Sequence, residues 1–503
     1  ESRVLSNSTL FNNGSIGPDN YLLFSPKLAG SEKESFYYYN PDSNTQYGLL
    51  EVMPYERSPL IHAPAPESDG KFSYALAVNS SNQIIAGASG ENSLTGNVYV
   101  YSRSSDLSFS VTQEIAPPVE FQNSQMQFGA SLSCFNDLLA ISAPNDSSFE
   151  GSVFLYSKDE DGNYSFIQKI TSEDPQIPNI FGYSLSITSD LLAVSSLQHG
   201  IGSGEVSLYD IDETDDSLSF RETIRSSDGV SGDYFGYDLD LNESLLVIGA
   251  PNAGDSVNGE DSGAVYIFEI NDSGTWIESQ KITPSSLSVD DQFGHTVCIS
   301  DNFIFIGALR GDGGGVDTGA VYIFENLDGI WTEVALISPP DDGTNQLFST
   351  DLQSIGDFLI TSSPGSGTHG LVYIYDNSGE SSAWNLFSTL DLNQSSVLAG
   401  NTTFAPVASS DGMIIAGSPE ESASGSASGG LQAFFNPAWT SSSETPTLLP
   451  LFDGNTPTSF TISEDSGQLI YDFNASHPFG YALTWSIVTE SEVLGDVSVD
   501  EST

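Results

Sequence analysis

The sequence predicts an all-β protein: a β-propeller of four-stranded blades over residues 1–450, followed by an incomplete β-sandwich over residues 451–503. Three observations predict it. One pattern recurs from Phe72, Phe128, Phe181, Phe235, Phe293, Phe348 and Phe404, with a weaker copy near Phe11. The steps are 56, 53, 54, 58, 55 and 56 residues, with 61 from Phe11 to Phe72. Each copy holds short apolar and alternating runs separated by turn residues, and the composition (Gly 47, Phe 29, Tyr 21) favours strands and tight turns.

The copy from Phe293 justifies the elements in order. It predicts strands at Thr296–Ser300, Phe303–Gly307, Ala320–Glu325 and Trp331–Ile337. Asp301-Asn302 and Leu327-Asp328-Gly329 supply turns. The second and third strands are nearly continuous apolar runs, as strands covered on both faces are. A lone four-stranded sheet cannot cover two apolar faces, but similar sheets packed radially around an axis can. A linear solenoid would need polar end caps, which the sequence does not show. Eight copies tile Phe11 to about Pro450. The first has a poor innermost strand and the last a poor outermost strand after Phe435, so the two can complement each other across the ring seam. The count is therefore eight by repeats, with seven open if the first copy serves closure.

Charge narrows the partners. Lys+Arg is 12 and Asp+Glu is 68, a net charge of −56. Nucleic acid, whose affinity rests on Lys and Arg, is excluded, as is docking on an anionic membrane surface. No uncharged apolar run reaches the roughly 18 residues of a membrane-spanning helix, so no membrane insertion is expected. Such acidity suits an extracellular protein in salty water, where screening blunts self-repulsion, and a cytoplasmic protein of a halophile would have a similar composition.

Phe235-Gly236 with Gly249-Ala250-Pro251 and Gly263-Ala264-Val265-Tyr266 carry a family resemblance, supported by Phe128-Gly129 with Ala143-Pro144 and Phe293-Gly294 with Gly307-Ala308. These residues resemble the FG-GAP repeat, the blade of the integrin α-subunit propeller and of bacterial and marine surface proteins. The resemblance implies a propeller used for binding or scaffolding. After a linker at Ser441–Thr447, Phe460–Ser466 and Leu483–Ile487 resemble the opening half of the cadherin-like or Ig-like repeats of surface adhesins. Only ~50 residues remain where an Ig-like sandwich needs ~100, so the chain is expected to be a segment of a longer protein, or to be completed by strand addition from a neighbour.

Candidate chemistry is sparse. His62, His199, His295, His369 and His477 show no metal-ligand spacing and read as loop or core residues. Trp276 and Trp331 read as packing between blades. Cys134 and Cys298 fall on inner strands of separate blades and read as buried free thiols. The family's calcium loop does not carry over, because the turns at Leu241–Ser244 and Ser300–Asn302 are too short for a cation wanting ~6–8 oxygens. Asp255, Asp261, Asp312 and Asp317 cluster instead in the loops between second and third strands. A solvated acidic loop is the plainer reading, and weak calcium binding is the alternative; calcium is the one cofactor in question. Arg310-Gly311-Asp312 spells a tripeptide that integrins recognise, set against the plainer reading of a turn before Gly313. Among the Asn-x-Ser/Thr sequons, Asn163 and Asn271 lie on outer hairpins suited to a glycan.

The functional expectation is a non-enzymatic extracellular binding and scaffolding module of a cell-surface or secreted adhesin. Its partner would be a protein or glycan ligand on a cell surface or matrix, or copies of itself. The alternative is a structural subunit of an extracellular filament, completed by strand addition. An enzyme is disfavoured because no His, Cys or Ser constellation recurs with nucleophile geometry.

Overall fold

Each repeat forms a four-stranded antiparallel sheet whose second strand is buried along its whole length. In the fifth blade the strands are Phe293–Ile299, Phe303–Ala308, Ala320–Leu327 and Ile330–Ile337, within a residue or three of the sequence expectation. Phe303–Ala308 is buried at all six positions, so neighbouring blades cover both its faces. A computed structural model describes residues 55–391 and 405–436 outside several loop segments, together with the backbones of five strands elsewhere.

Seven such sheets are present in the ring. Their innermost strands are Phe72–Val78, Leu132–Phe135, Phe181–Ile187, Leu239–Leu241, Phe293–Ile299, Leu352–Ile355 and Val407–Ser410. Each touches the next, and Val407–Ser410 touches Phe72–Val78, which closes the circle. Of the two counts that the repeats allow, the ring has seven blades. The seventh lacks an outer strand of its own after Gly430–Phe435, and Glu56–Arg57 fills that place. The Ser58 amide donates to the Ala433 carbonyl at 2.8 Å, and Ile61 and Leu431 exchange amide-to-carbonyl bonds of 2.8 and 2.9 Å.

The chain divides into two compact units, residues 57–434 with 439–443, and a second made of residues 1–56, 435–438 and 444–503. In the second unit, Leu22–Phe24, Glu34–Asn40 and Thr45–Val52 form a three-stranded sheet. Those strands carry the YLLFSP and FYYY segments of the first repeat copy; Phe11 lies outside the described residues. Leu451–Phe452 pairs with Ala475–Ser476; the rest of the expected sandwich also lies outside the described residues.

The core sits between blades. One cluster joins Leu191, Val206 and Ile224 of the third blade to Leu246, Tyr266 and Trp276 of the fourth. Another joins Val247 and Ile267 of the fourth to Phe293, Ile306 and Trp331 of the fifth. Both tryptophans are thus the inter-blade packing that the sequence suggested. Phe72, Phe128, Phe181, Phe235, Phe293 and Phe348 are fully buried. Each meets an aromatic of its own blade's third strand, as Phe293 meets Tyr322 at 5.2 Å, edge to face.

The repeated glycines are set by backbone contact between blades. Gly263 has φ +95°, and a Cβ there would lie 2.1 Å from the carbonyl oxygen of Phe293 in the next blade. Gly249 similarly faces the Gly294 carbonyl, 1.9 Å from where its Cβ would stand. The first glycine of Gly-Ala-Val-Tyr and the glycine of Gly-Ala-Pro therefore seat the following Phe-Gly.

Candidate functional site: the loop-bearing end of the ring

Antiparallel register places the Phe-Gly start, the end of the second strand and the start of the third at one end of each blade. Phe293 pairs with Ala308, and Ala308 with Ala320. The long loops between second and third strands and those between blades all emerge there. The opposite end has mostly tight hairpins.

At the ring's centre, carboxylates join one blade to the next. Asp238 Oδ2 accepts the Val297 amide at 2.8 Å, and its Oδ1 accepts the Ser184 hydroxyl at 3.1 Å. Asp240 accepts the Ile299 amide at 2.8 Å and the Ser186 hydroxyl at 3.2 Å. Asp351 accepts the Val407 amide at 2.8 Å. Burial pushes Asp238 and Asp351 up to about 7, against the hydrogen bonds from those amides. A carboxylic acid so perturbed is a candidate proton carrier, but these oxygens are occupied in stapling inner strands. Beside them, the His295 ring lies tilted 4.9 Å from Tyr237, which lies 5.2 Å from Tyr183. Burial lowers His295 to about 4, so it is neutral at pH 7.

Of the four aspartates singled out in the loops, Asp261 acts on one neighbour, and Asp312 and Asp317 on another. Asp255 lies outside the described residues. Burial raises Asp233, and the charges of Asp228 and Asp261 add to that, against the Val230 amide and the charge of Lys281. Asp312 and Asp317 act on Asp291 instead, and Asp312 Oδ1 accepts the Asp317 amide at 3.1 Å. Among the described residues, no group of three or more His, Cys, Asp or Glu side chains could hold a metal ion. Arg310 and Asp312 are exposed, but the Gly311 between them is buried. Its amide donates to the Ala308 carbonyl and its carbonyl accepts the Gly319 amide, so the tripeptide is built into a turn.

Asn163 is exposed on its hairpin, whereas Asn271 Oδ1 accepts the Ser273 and Thr275 amides, both at 3.0 Å, and orders its turn. Cys134 and Cys298 are free thiols, and burial raises both. Cys298 is buried, but Cys134 is only partly so, because it stands next to the exposed turn at Phe135–Asp137. His62 Nδ1 lies 3.0 Å from the Gly429 carbonyl oxygen, and His199 Nδ1 lies 3.3 Å from Glu205 Oε1. His369 and His477 lie outside the described residues.

Two features of this end escaped the sequence reading. One is a polar side chain six residues before the third strand begins: Glu91 before Asn97, Asp146 before Ser152 and His199 before Glu205. The constant spacing within the repeat was the available signal. The other is apolar exposure. Val119, Phe149, Ile177, Val230, Val257 and Val289 are 50–83% exposed, and all lie on loops of this end.

Residues 219–268 and 276–324 match the family model described as FG-GAP repeat. Each stretch begins in the outermost strand of one blade and ends in the third strand of the next. That is also the phase of the ring, which opens with an outer strand at Glu56–Arg57. The chain is a β-propeller in which these two stretches match the FG-GAP repeat. A search of curated protein sequences returned no match. Among solved structures, a protein described as a candidate 6-phosphogluconolactonase of Bacteroides fragilis is similar over 76% of this chain and 98% of its own, at 11% identity and TM-score 0.48. A counterpart from Bacteroides uniformis gives 74% and 96%, at 10% identity and TM-score 0.46. Sqt1 of Saccharomyces cerevisiae gives 72% and 82%, at 12% identity and TM-score 0.43. Likeness of this degree bears on neither activity nor partner.

Proposed function

We propose that the chain is a non-enzymatic extracellular binding and scaffolding module of a cell-surface or secreted adhesin, engaging a protein or glycan ligand through the loop-bearing end. The apolar exposure carries this reading. Of the thirteen exposed large apolar side chains among the described residues, six sit on loops of that end. On the opposite hairpins only Phe135, Leu327 and Ile330 of the described residues are exposed in this way; exposed apolar surface is open to a partner, and binding residues concentrate on loops held by a rigid scaffold. The perturbed carboxylates at the axis are committed to inter-blade hydrogen bonds, which favours binding over catalysis.

The test compares the chain with the triple variant Val230→Ser, Val257→Ser, Val289→Ser on a glycan array, on matrix-coated surfaces and on immobilised copies of the chain. Surface positions away from the core change stability by about 0.5 kcal/mol or less, so the variant should melt as the parent does. Loss of binding with unchanged melting supports the reading. Undiminished binding by the variant, or no binding to any surface, defeats it. Binding confined to copies of the chain favours the filament reading.

A further inference from the structure

The residue six positions before the third strand has a charged partner in the second and third blades. In the second, Asp146 Oδ2 accepts Lys169 Nζ at 2.6 Å and the Ser152 hydroxyl at 2.8 Å. Lys169 Nζ also lies 5.1 Å from the Phe121 ring centre and 5.4 Å from that of Phe154. In the third blade, the carboxylate belongs to Glu205, which holds Arg225 and faces His199.

The first blade repeats this geometry without a cation among the described residues. Lys169 is the ladder partner of Phe154, and Glu114 is the ladder partner of Tyr99, at the equivalent place. A carboxylate therefore stands where the second blade has an ammonium. Glu91 is 2% exposed and Asn97 4%. Glu91 Oε2 accepts the Tyr99 hydroxyl at 2.6 Å and Asn97 Nδ2 at 3.2 Å. The same Nδ2 lies 3.2 Å from Glu114 Oε1, so one amide bridges two carboxylates. Glu91 Oε1 and Asn97 Oδ1 are buried without any hydrogen-bond partner. Burial raises Glu91, and the nearby charges of Glu67 and Glu114 add to that, against the bonds from Tyr99 and Asn97. Glu67 and Glu114 are both exposed, so two solvated carboxylates act on the buried one.

We propose that Glu91, Asn97 and Glu114 form a cation-receiving subsite that takes from a ligand the primary ammonium group that the second blade supplies with Lys169. A buried acceptor without a partner keeps its full desolvation cost, and Glu91 Oε1 and Asn97 Oδ1 are both in that state. The internal counterpart is an ammonium resting on an aromatic face, and Tyr99 offers that face in place of Phe154. The absence of a three-carboxylate metal cage among the described residues also favours an amine over a metal ion. An entering ammonium takes over the bridging from the Asn97 amide, which frees that amide to turn its oxygen towards the charge. The subsite stands independently of the adhesin reading.

The probe is Nα-acetyl-lysine amide, with acetyl-norleucine amide as the uncharged control and calcium chloride as a third arm, all at equal ionic strength. The expected result is a saturable rise of about 2 °C in melting temperature with the lysine compound alone. Glu114→Gln, an exposed position that should keep the fold, and Glu91→Gln should abolish the rise. Glu114→Lys supplies the ammonium internally, so it should melt above the parent without ligand and no longer respond to the lysine compound. Equal melting in lysine and norleucine compounds overturns the proposal. So does a response retained in Glu114→Gln or Glu114→Lys, or one given by calcium alone. Calorimetric titration of the lysine compound into parent and Glu114→Gln repeats the comparison without reference to stability.

Discussion

At the residue scale, the same side-chain type serves opposite ends according to its neighbours. Asp238 and Asp351 sit at equivalent places in the fourth and sixth blades and hold the next blade's backbone amide. Both are raised by burial to about 7, whereas an unfolded aspartate titrates near ~3.9. The folded state then binds the proton more tightly than the unfolded chain. Stability from these groups is complete below the unfolded value and is lost as pH rises through about 7. The melting temperature should therefore fall from pH 5.5 to 8, a window above the titration of ordinary carboxylates. Asp238→Asn, which keeps an acceptor for the Val297 amide, should make that fall shallower. Identical slopes for parent and variant in a calorimetric pH series would show that Asp238 stays ionised in the fold. Nothing in the sequence distinguishes Asp238 from the solvated aspartates of the loops; its burial follows from the closing of the ring.

At the element scale, the outer strands are clasped in pairs by glutamine. Gln280 Nε2 donates to the Trp331 carbonyl at 2.8 Å, and its Oε1 accepts the Trp331 amide at 2.9 Å. Gln113 holds Tyr164 in this way and Gln168 holds Leu218. Each glutamine bonds the amide and carbonyl of the first or second residue of the next blade's outer strand, which has no sheet neighbour on that side. At the corresponding place in the third blade stands Glu222, and Arg221 reaches the Gly274 carbonyl instead. Gln280→Ala leaves both Trp331 backbone groups without this partner and should cost about 1–3 kcal/mol. Urea denaturation at constant m-value measures it. A loss below about 0.5 kcal/mol would mean that water replaces the clasp fully. The Trp and Gln of this strand were readable as residues, but their partner belongs to another repeat, and sequence spacing alone does not say which side chain faces which strand.

At the scale of the whole molecule, stability depends on closure. A ring joins its first and last blades through one outer strand, and here residues 56–61 provide it for the seventh blade. Ile61→Pro removes the amide that donates to Leu431 and a side chain only 7% exposed. The variant should lose several kcal/mol, since both a sheet bond and a core contact go. Differential scanning calorimetry should show a lower, broader transition as the seam opens before the remaining blades. A single sharp transition at the parent's temperature would assign closure to the innermost strands alone. Net charge acts at this scale too: −56 on one chain makes self-repulsion general, and added salt should relieve it without respect to position.

The sequence by itself determined the blade. Phe-Gly, Gly-Ala-Pro and Gly-Ala-Val-Tyr at a fixed period specify which strands are covered on both faces and where a backbone must pass another without a side chain between them. These are local properties, repeated often enough to be read. The number of blades, the closing strand and the subsite in the first blade were decided by the tertiary structure. Seven sheets with their natural twist complete the circle, and the strands of the first repeat copy form a sheet of their own. Glu91 and Glu114 read as two more acids among 68 acidic residues. Only the fold buries one, places the other where a lysine stands in the next blade, and leaves two oxygens without partners, because hydrogen bonding and desolvation depend on which chain segments meet.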